Sequence, residues 1–138
     1  MTQFEIIKPA TRETEVVQCE ELRDALVLAG LNHGAVDHGM VTRGMGIVVY
    51  EFSLFVPSAE QSYFSIGGRL YAGNAVLYGV DEMGDTVDLR MLAIPYWLQT
   101  EADVEKAIRG GLCPRPTMSV NGDTIWQWPQ PAPPGMKR

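Results

Sequence analysis

The sequence predicts an α+β fold: an antiparallel, strongly twisted β-sheet of about six to eight short strands, two packed helices over 19–29 and 100–109, and a C-terminal β-hairpin over 117–128. Three observations carry this. From Leu31 to Leu89 the chain is a series of short β-prone runs separated by turn residues such as Pro57, Gly67-Gly68 and Asp81–Asp85. Two separate segments instead repeat their apolar residues at helical spacing. An Asn-Gly pair, Asn121-Gly122, sits between two β-prone runs, the strongest short-range hairpin signal. With 138 residues, 46% of them apolar and 20% charged, the chain has the size and composition of one globular domain.

The elements follow in order. Gln3–Lys8 reads as a first strand, stopped by Pro9, which cannot donate to a ladder. Thr11–Gln18 is polar and then apolar at Val16-Val17, a short strand or the approach to a helix. In 19–29, Leu22, Ala25, Leu26 and Ala29 form one helical stripe; Glu20 and Glu21 suit the first turn, and Gly30 suits a left-handed C′ position. Val36–Val41 is a further strand. Ile47–Val56 is the strongest, with Val48, Tyr50, Phe52, Leu54 and Val56 on a core face and Ile47, Val49, Glu51, Ser53 and Phe55 on a half-wet one. Ser62–Ile66 is a short strand ending at a Gly67-Gly68 turn, and its edge is a candidate for self-association. Arg69–Val80 holds one long or two short strands, with Gly73-Asn74 as a bulge or turn. Asp81–Asp85 turns the chain, and Thr86–Leu92 returns as a strand.

Pro95 breaks this pattern. Thr100 then caps the second helix, whose stripe is Val104, Ala107 and Ile108 and whose end is Gly110-Gly111. In the hairpin, Thr117–Val120 and Asp123–Trp128 flank a two-residue type I′ turn. Residues 1–128 thus read as a single α+β domain, and 129–138, rich in proline, as a flexible tail.

The net charge is −6, unevenly spread: 13 acids against 5 bases in residues 1–88, and 4 acids against 6 bases thereafter. The bases of the longer segment form no run, so direct nucleic-acid binding is not expected and a protein partner is the more natural use of an acidic surface. The start, MTQFEIIKPATRETE, lacks a basic segment followed by an apolar one, and no apolar run approaches the ~20 residues of a membrane span. A cytoplasmic protein that does not cross a membrane is therefore expected.

Motifs for chemistry are sparse. His33, Asp37 and His38 lie close together, but their spacing fits no zinc pattern. The Gly-rich pieces make neither GxGxxG nor a P-loop, there is no GxSxG elbow, and Asp81, Glu82, Asp85 and Asp88 do not follow calcium-loop spacing. Cys19 and Cys113 form no CxxC pair and read as reduced thiols. No cofactor and no metal are expected. The candidate partner-binding residues are the acids Asp81, Glu82, Asp85 and Asp88 with the aromatics Tyr96, Trp97, Trp126 and Trp128, the last two sharing a strand face.

The stretch GIVVYEFSLF…YFSIGGRLYAGNAVLYGVDEMGDTVDL, preceded by the helical EELRDAL, resembles small uncharacterised proteins of bacteriophages and other mobile elements, which carry a similar hairpin near residues 73–81. The resemblance covers about half the chain, rests on no catalytic motif and implies an accessory protein. The resulting expectation is a non-enzymatic protein-interaction module that binds or inhibits a host defence or nucleic-acid-handling complex, with homo-oligomerisation compatible. The alternative is a small enzyme or ligand-binding domain built on His33, Asp37 and His38.

Overall fold

The computed structural model describes residues 1–32, 36–50 and 62–98, residues 100, 102, 103, 106 and 109, and the backbone of 115–118 and 124–127. Within these, the strands are β1 (Thr2–Lys8), β2 (Glu13–Cys19), β3 (Val36–Thr42), β4 (Met45–Tyr50), β5 (Tyr63–Ile66), β6 (Arg69–Ala72), β7 (Ala75–Val80), β8 (Thr86–Val87), β9 (Tyr96–Leu98), β10 (Arg115–Met118) and β11 (Thr124–Gln127), and helix α1 spans Leu22–Leu28. The fold is mostly antiparallel sheet with a helix packed on it, the α+β class expected. The described strands form three sheets, the main one of six strands. The main sheet runs β2-β1-β7-β4-β3, with β8 also on β7; a second runs β6-β5-β9; β10 and β11 form a two-stranded ribbon. Every pairing is antiparallel.

Strand alternation assigns the two faces of the main sheet to two cores. Phe4 and Ile6 of β1, Val48 of β4, and Val76 and Tyr78 of β7 pack with Ala25 of α1 and Ala29, its C-cap. Their neighbours Ile7, Met45, Ile47, Ala75 and Leu77 pack with Phe64, Ile66 and Tyr71 of the second sheet. The expected half-wet face of the strongest strand is thus corrected over 47–48: Ile47 is as buried as Val48, because β4 lies between a helix and a sheet. The rest of that strand, beyond Tyr50, falls outside the described residues.

The helix is shorter than its pattern. Cys19 ends β2 instead of starting α1, because the β1 ladder extends to the pair Thr2↔Cys19. Glu21 is the N-cap, and its backbone N–H donates to the Asp24 carboxylate at 3.1 Å, half of a capping box. At the other end Gly30 has φ +75°, its N–H reaches the Val27 carbonyl at 3.1 Å, and the Leu31 N–H reaches Leu26 at 2.9 Å. That is a Schellman motif, with glycine where a left-handed residue is needed. The Asn74 side-chain amide adds a donor to the Ala29 carbonyl at 2.9 Å.

Gly67 and Gly68 both have positive φ and join Ile66 to Arg69 as a two-residue hairpin turn. The next junction, Gly73-Asn74, is neither a bulge nor a simple turn. There the chain leaves the second sheet and enters the main one as β7. β5 is the central strand of its sheet, flanked by β6 and β9 and buried throughout, so the proposed self-association edge at Ser62–Ile66 does not exist. Only Thr86 and Val87 of the expected strand 86–92 join a ladder, and Tyr96–Leu98, unassigned in the pattern, pairs with β5.

Much of the segment 100–109, expected as a second helix, lies outside the described residues. Residues 102, 103, 106 and 109 are helical, and Thr100 and Asp103 exchange capping hydrogen bonds of 3.1 and 3.2 Å. β10 and β11 pair as Met118↔Thr124, one residue away from the register that a two-residue Asn121-Gly122 turn sets. Residues 119–123 and the tail 129–138 are not among those described.

Between β8 and β9 the chain runs without ladder pairing from Asp88 to Pro95, a strap from the main sheet to the second one. It leaves over Gly79, where an added Cβ would stand 2.5 Å from the Asp88 carbonyl oxygen and 2.8 Å from that of Val87. At Gly46 an added Cβ would instead meet the ring tip of Tyr78. A ring can swing aside and a strap backbone held at several points cannot. Gly79→Ala is therefore expected to destabilise the protein by about 1–3 kcal/mol, and more than Gly46→Ala does, by urea denaturation.

Candidate functional site

The strap is fastened mainly to β1. The Gln3 N–H donates to the Asp88 carboxylate at 2.8 Å, the Gln3 side-chain amide to the Leu89 carbonyl at 2.8 Å, and the Leu89 N–H to the Gln3 carbonyl at 3.0 Å. Two residues on, Glu5 accepts the Ala93 N–H at 3.0 Å. Glu5 is only 2% exposed and shares its strand face with Ile7. Burial pushes its carboxyl above the ordinary value, and the bonds from the Ala93 N–H and the Thr14 hydroxyl pull partly back. The sequence reading passed over Glu5. Its signal was a lone acid inside an apolar strand, FEII, where a half-wet face would have explained it equally well.

With its inner side so committed, the strap turns large apolar side chains outward. Met91, Leu92, Ile94 and the following Tyr96 are all exposed, Ile94 by 94% and Tyr96 by 64%. Where the strap begins, it borders a groove of about 860 Å³. The β3–β4 hairpin contributes Met40, Arg43 and Met45, the β7–β8 turn Asp81 and Glu82, and the strap Asp88, Arg90 and Met91.

The four nominated acids divide in this setting. Asp81 accepts the N–H groups of Met83 and Asp85, both at 2.9 Å, and so shapes its own turn. Asp88 holds Gln3. Glu82 and Asp85 are exposed on the turn. The aromatics divide as well. Trp97 is half-buried against the core between the sheets, whereas Tyr96, one residue earlier on β9, faces out. Trp126 lies on β11, but its side chain, like all of Trp128, is outside the described residues. Arg43, Arg90 and the exposed methionines were not singled out from sequence, because no pattern separates an exposed Met from a buried one.

Of the alternative trio, Asp37 and His38 are among the described residues. Asp37 and His38 are consecutive on β3, opposite Val49 and Val48, and so point to opposite faces. The His38 Nδ1 lies 3.4 Å from the Tyr78 hydroxyl, with the two rings edge to face at 6.2 Å. His33 is outside the described residues. Among the described residues, no group of three or more His, Cys, Asp and Glu side chains is placed to hold a metal ion. Cys19 is buried in the helix-side core, and burial, with the Asp24 carboxylate adding to it, pushes its thiol up and away from the reactive thiolate. Cys113 lies outside the described residues. No described helix is long and apolar enough to cross a membrane.

Two outcomes follow from these groups. Because the folded-state value of Glu5 is raised, its contribution to stability is full below the ordinary unfolded carboxyl value and is lost as pH rises through the folded one. Glu5→Gln is expected to flatten that part of the stability–pH curve, read by urea denaturation at acid and neutral pH. Iodoacetamide is expected to modify Cys19 at least about tenfold more slowly in the native protein than in urea, read by peptide mass spectrometry. Compared with protein-family models, curated proteins and solved structures, the chain finds no match.

Proposed function

We propose that this chain is a non-enzymatic protein-interaction module whose contact surface is the outer side of the strap with the adjoining groove. The observation that carries this reading is the row of exposed Met91, Leu92, Ile94 and Tyr96 on a segment held firmly from behind. Apolar side chains anchored on a fixed backbone lose little entropy when a partner covers them. Methionine adapts its shape to an apolar surface, and tyrosine supplies a large rigid contact with a polar tip.

The groove refines the partner's character. Arg43 and Arg90 stand beside Asp81, Glu82 and Asp88, so the lining does not present the single sign of a nucleic-acid backbone mimic. A mixed-charge polypeptide surface suits it better than a uniformly basic groove. The resemblance to phage and mobile-element proteins supports a host defence or nucleic-acid-handling complex as the target. The opposed directions of Asp37 and His38 and the buried Cys19 weigh against the enzyme alternative.

The test is affinity capture with the wild type and with Ile94→Asp/Tyr96→Asp, followed by cross-linking mass spectrometry to identify the chain that contacts the strap. The double variant is expected to weaken capture at least about tenfold, as loss of an interface anchor does, while the melting temperature stays within a few degrees, because both side chains are already solvated. Equal capture by both proteins would remove the strap from the interface.

A further inference from the structure

We infer that the occupant of the groove beside the strap is a second copy of this chain, docked through the same patch in a two-fold arrangement. The inference rests on the protein-binding reading and adds a second copy at the groove, which leaves Leu92, Ile94 and Tyr96 on the outer side of the strap for another protein. It is carried by the charges that the fold leaves unused. Arg43 on the β3–β4 turn and Arg90 on the strap are exposed, and neither has an ion-pair partner among the described residues. On the β7–β8 turn, the Asp81 carboxylate is occupied by two backbone N–H groups, and Asp88 is occupied by that of Gln3. Glu82 and Asp85 are exposed and carry no such bonds. The groove thus carries the guanidinium groups of Arg43 and Arg90 and the carboxylate of Glu82, with Asp85 on the same turn, none of them ion-paired among the described residues.

A two-fold rotation about an axis between the β7–β8 turn and the strap sets the acids of each copy against Arg90 of the other, and in that placement the patch is complementary to itself. Two molecules of net charge −6 repel at most orientations. A surface where exposed arginines lie next to acids lowers that repulsion. Met40 and Met91, exposed at the same groove, supply the apolar contact that ion pairs at a rim do not.

The experiment is light scattering with native mass spectrometry over a wide concentration series, at low and high salt. The wild type is expected to be a dimer that weakens with salt. Arg43→Glu/Arg90→Glu is expected to be monomeric, and so is Glu82→Arg/Asp85→Arg. Mixing the two is expected to restore a dimer that contains one of each, a result that a misfolded variant cannot give. The milder Arg43→Gln/Arg90→Gln is expected to weaken the dimer at least about tenfold, with an unchanged circular dichroism spectrum. A monomeric wild type, a dimer that persists in the charge-reversed variants, or no heterodimer on mixing would overturn the inference. A monomer whose strap still captures another protein would reject the second copy and leave the protein-binding reading standing.

Discussion

The central strands of the main sheet, β1, β4 and β7, are covered on both faces, and most of the rest of the structure answers to that constraint. A strand such as β7 has Val76 and Tyr78 under the helix and Ala75 and Leu77 under the second sheet, all buried. Two covering layers on one short chain require connections that change layer. The chain makes this change at Gly73-Asn74, where β6 of the second sheet gives way to β7 of the main one, and again along the strap from β8 to β9. Burial of apolar surface on both sides drives this arrangement, at roughly 25 cal/mol for each Å² removed from water.

A connection that crosses a sheet face has no ladder to satisfy its backbone, so its polar groups must find other partners. Gln3 and Glu5 meet that demand from neighbouring positions of β1. Gln3 uses its backbone and its side chain, and Glu5 its carboxylate. The burial of an acid is unfavourable unless hydrogen bonds reward it. At Glu5 the reward is a strap whose backbone is held against the sheet. The apolar side chains that cannot turn inward from such a strap are left in solvent, which is how a packing solution produces a surface suited to binding.

The function reading draws on that by-product. The acidic surface expected from composition is only partly available, since Asp81 and Asp88 spend their carboxylates on the backbone. What remains is a mixed-charge groove beside an apolar strap, a narrower description of a partner than net charge alone allows. The aromatic cluster is likewise divided: Trp97 belongs to the core and Tyr96 to the surface, because consecutive strand residues face opposite ways.

Local physics was readable from the sequence wherever a short-range rule acts alone. The antiparallel α+β class, the stripe of Leu22, Ala25, Leu26 and Ala29, the glycine that ends the helix, the Gly67-Gly68 turn and the Thr100 cap each follow from spacing or from one residue's stereochemistry. Tertiary structure decided which faces were covered, which strands sat at edges and which polar groups were already occupied. Alternation marks two faces but does not say whether a second layer lies beyond the wet one, so Ile47 read as half-wet and Ser62–Ile66 as an edge. Glu5, Arg43 and Arg90 became meaningful only through partners, present or missing, that lie far away along the chain. Those are long-range relations between side chains, and a one-dimensional pattern carries no term for them.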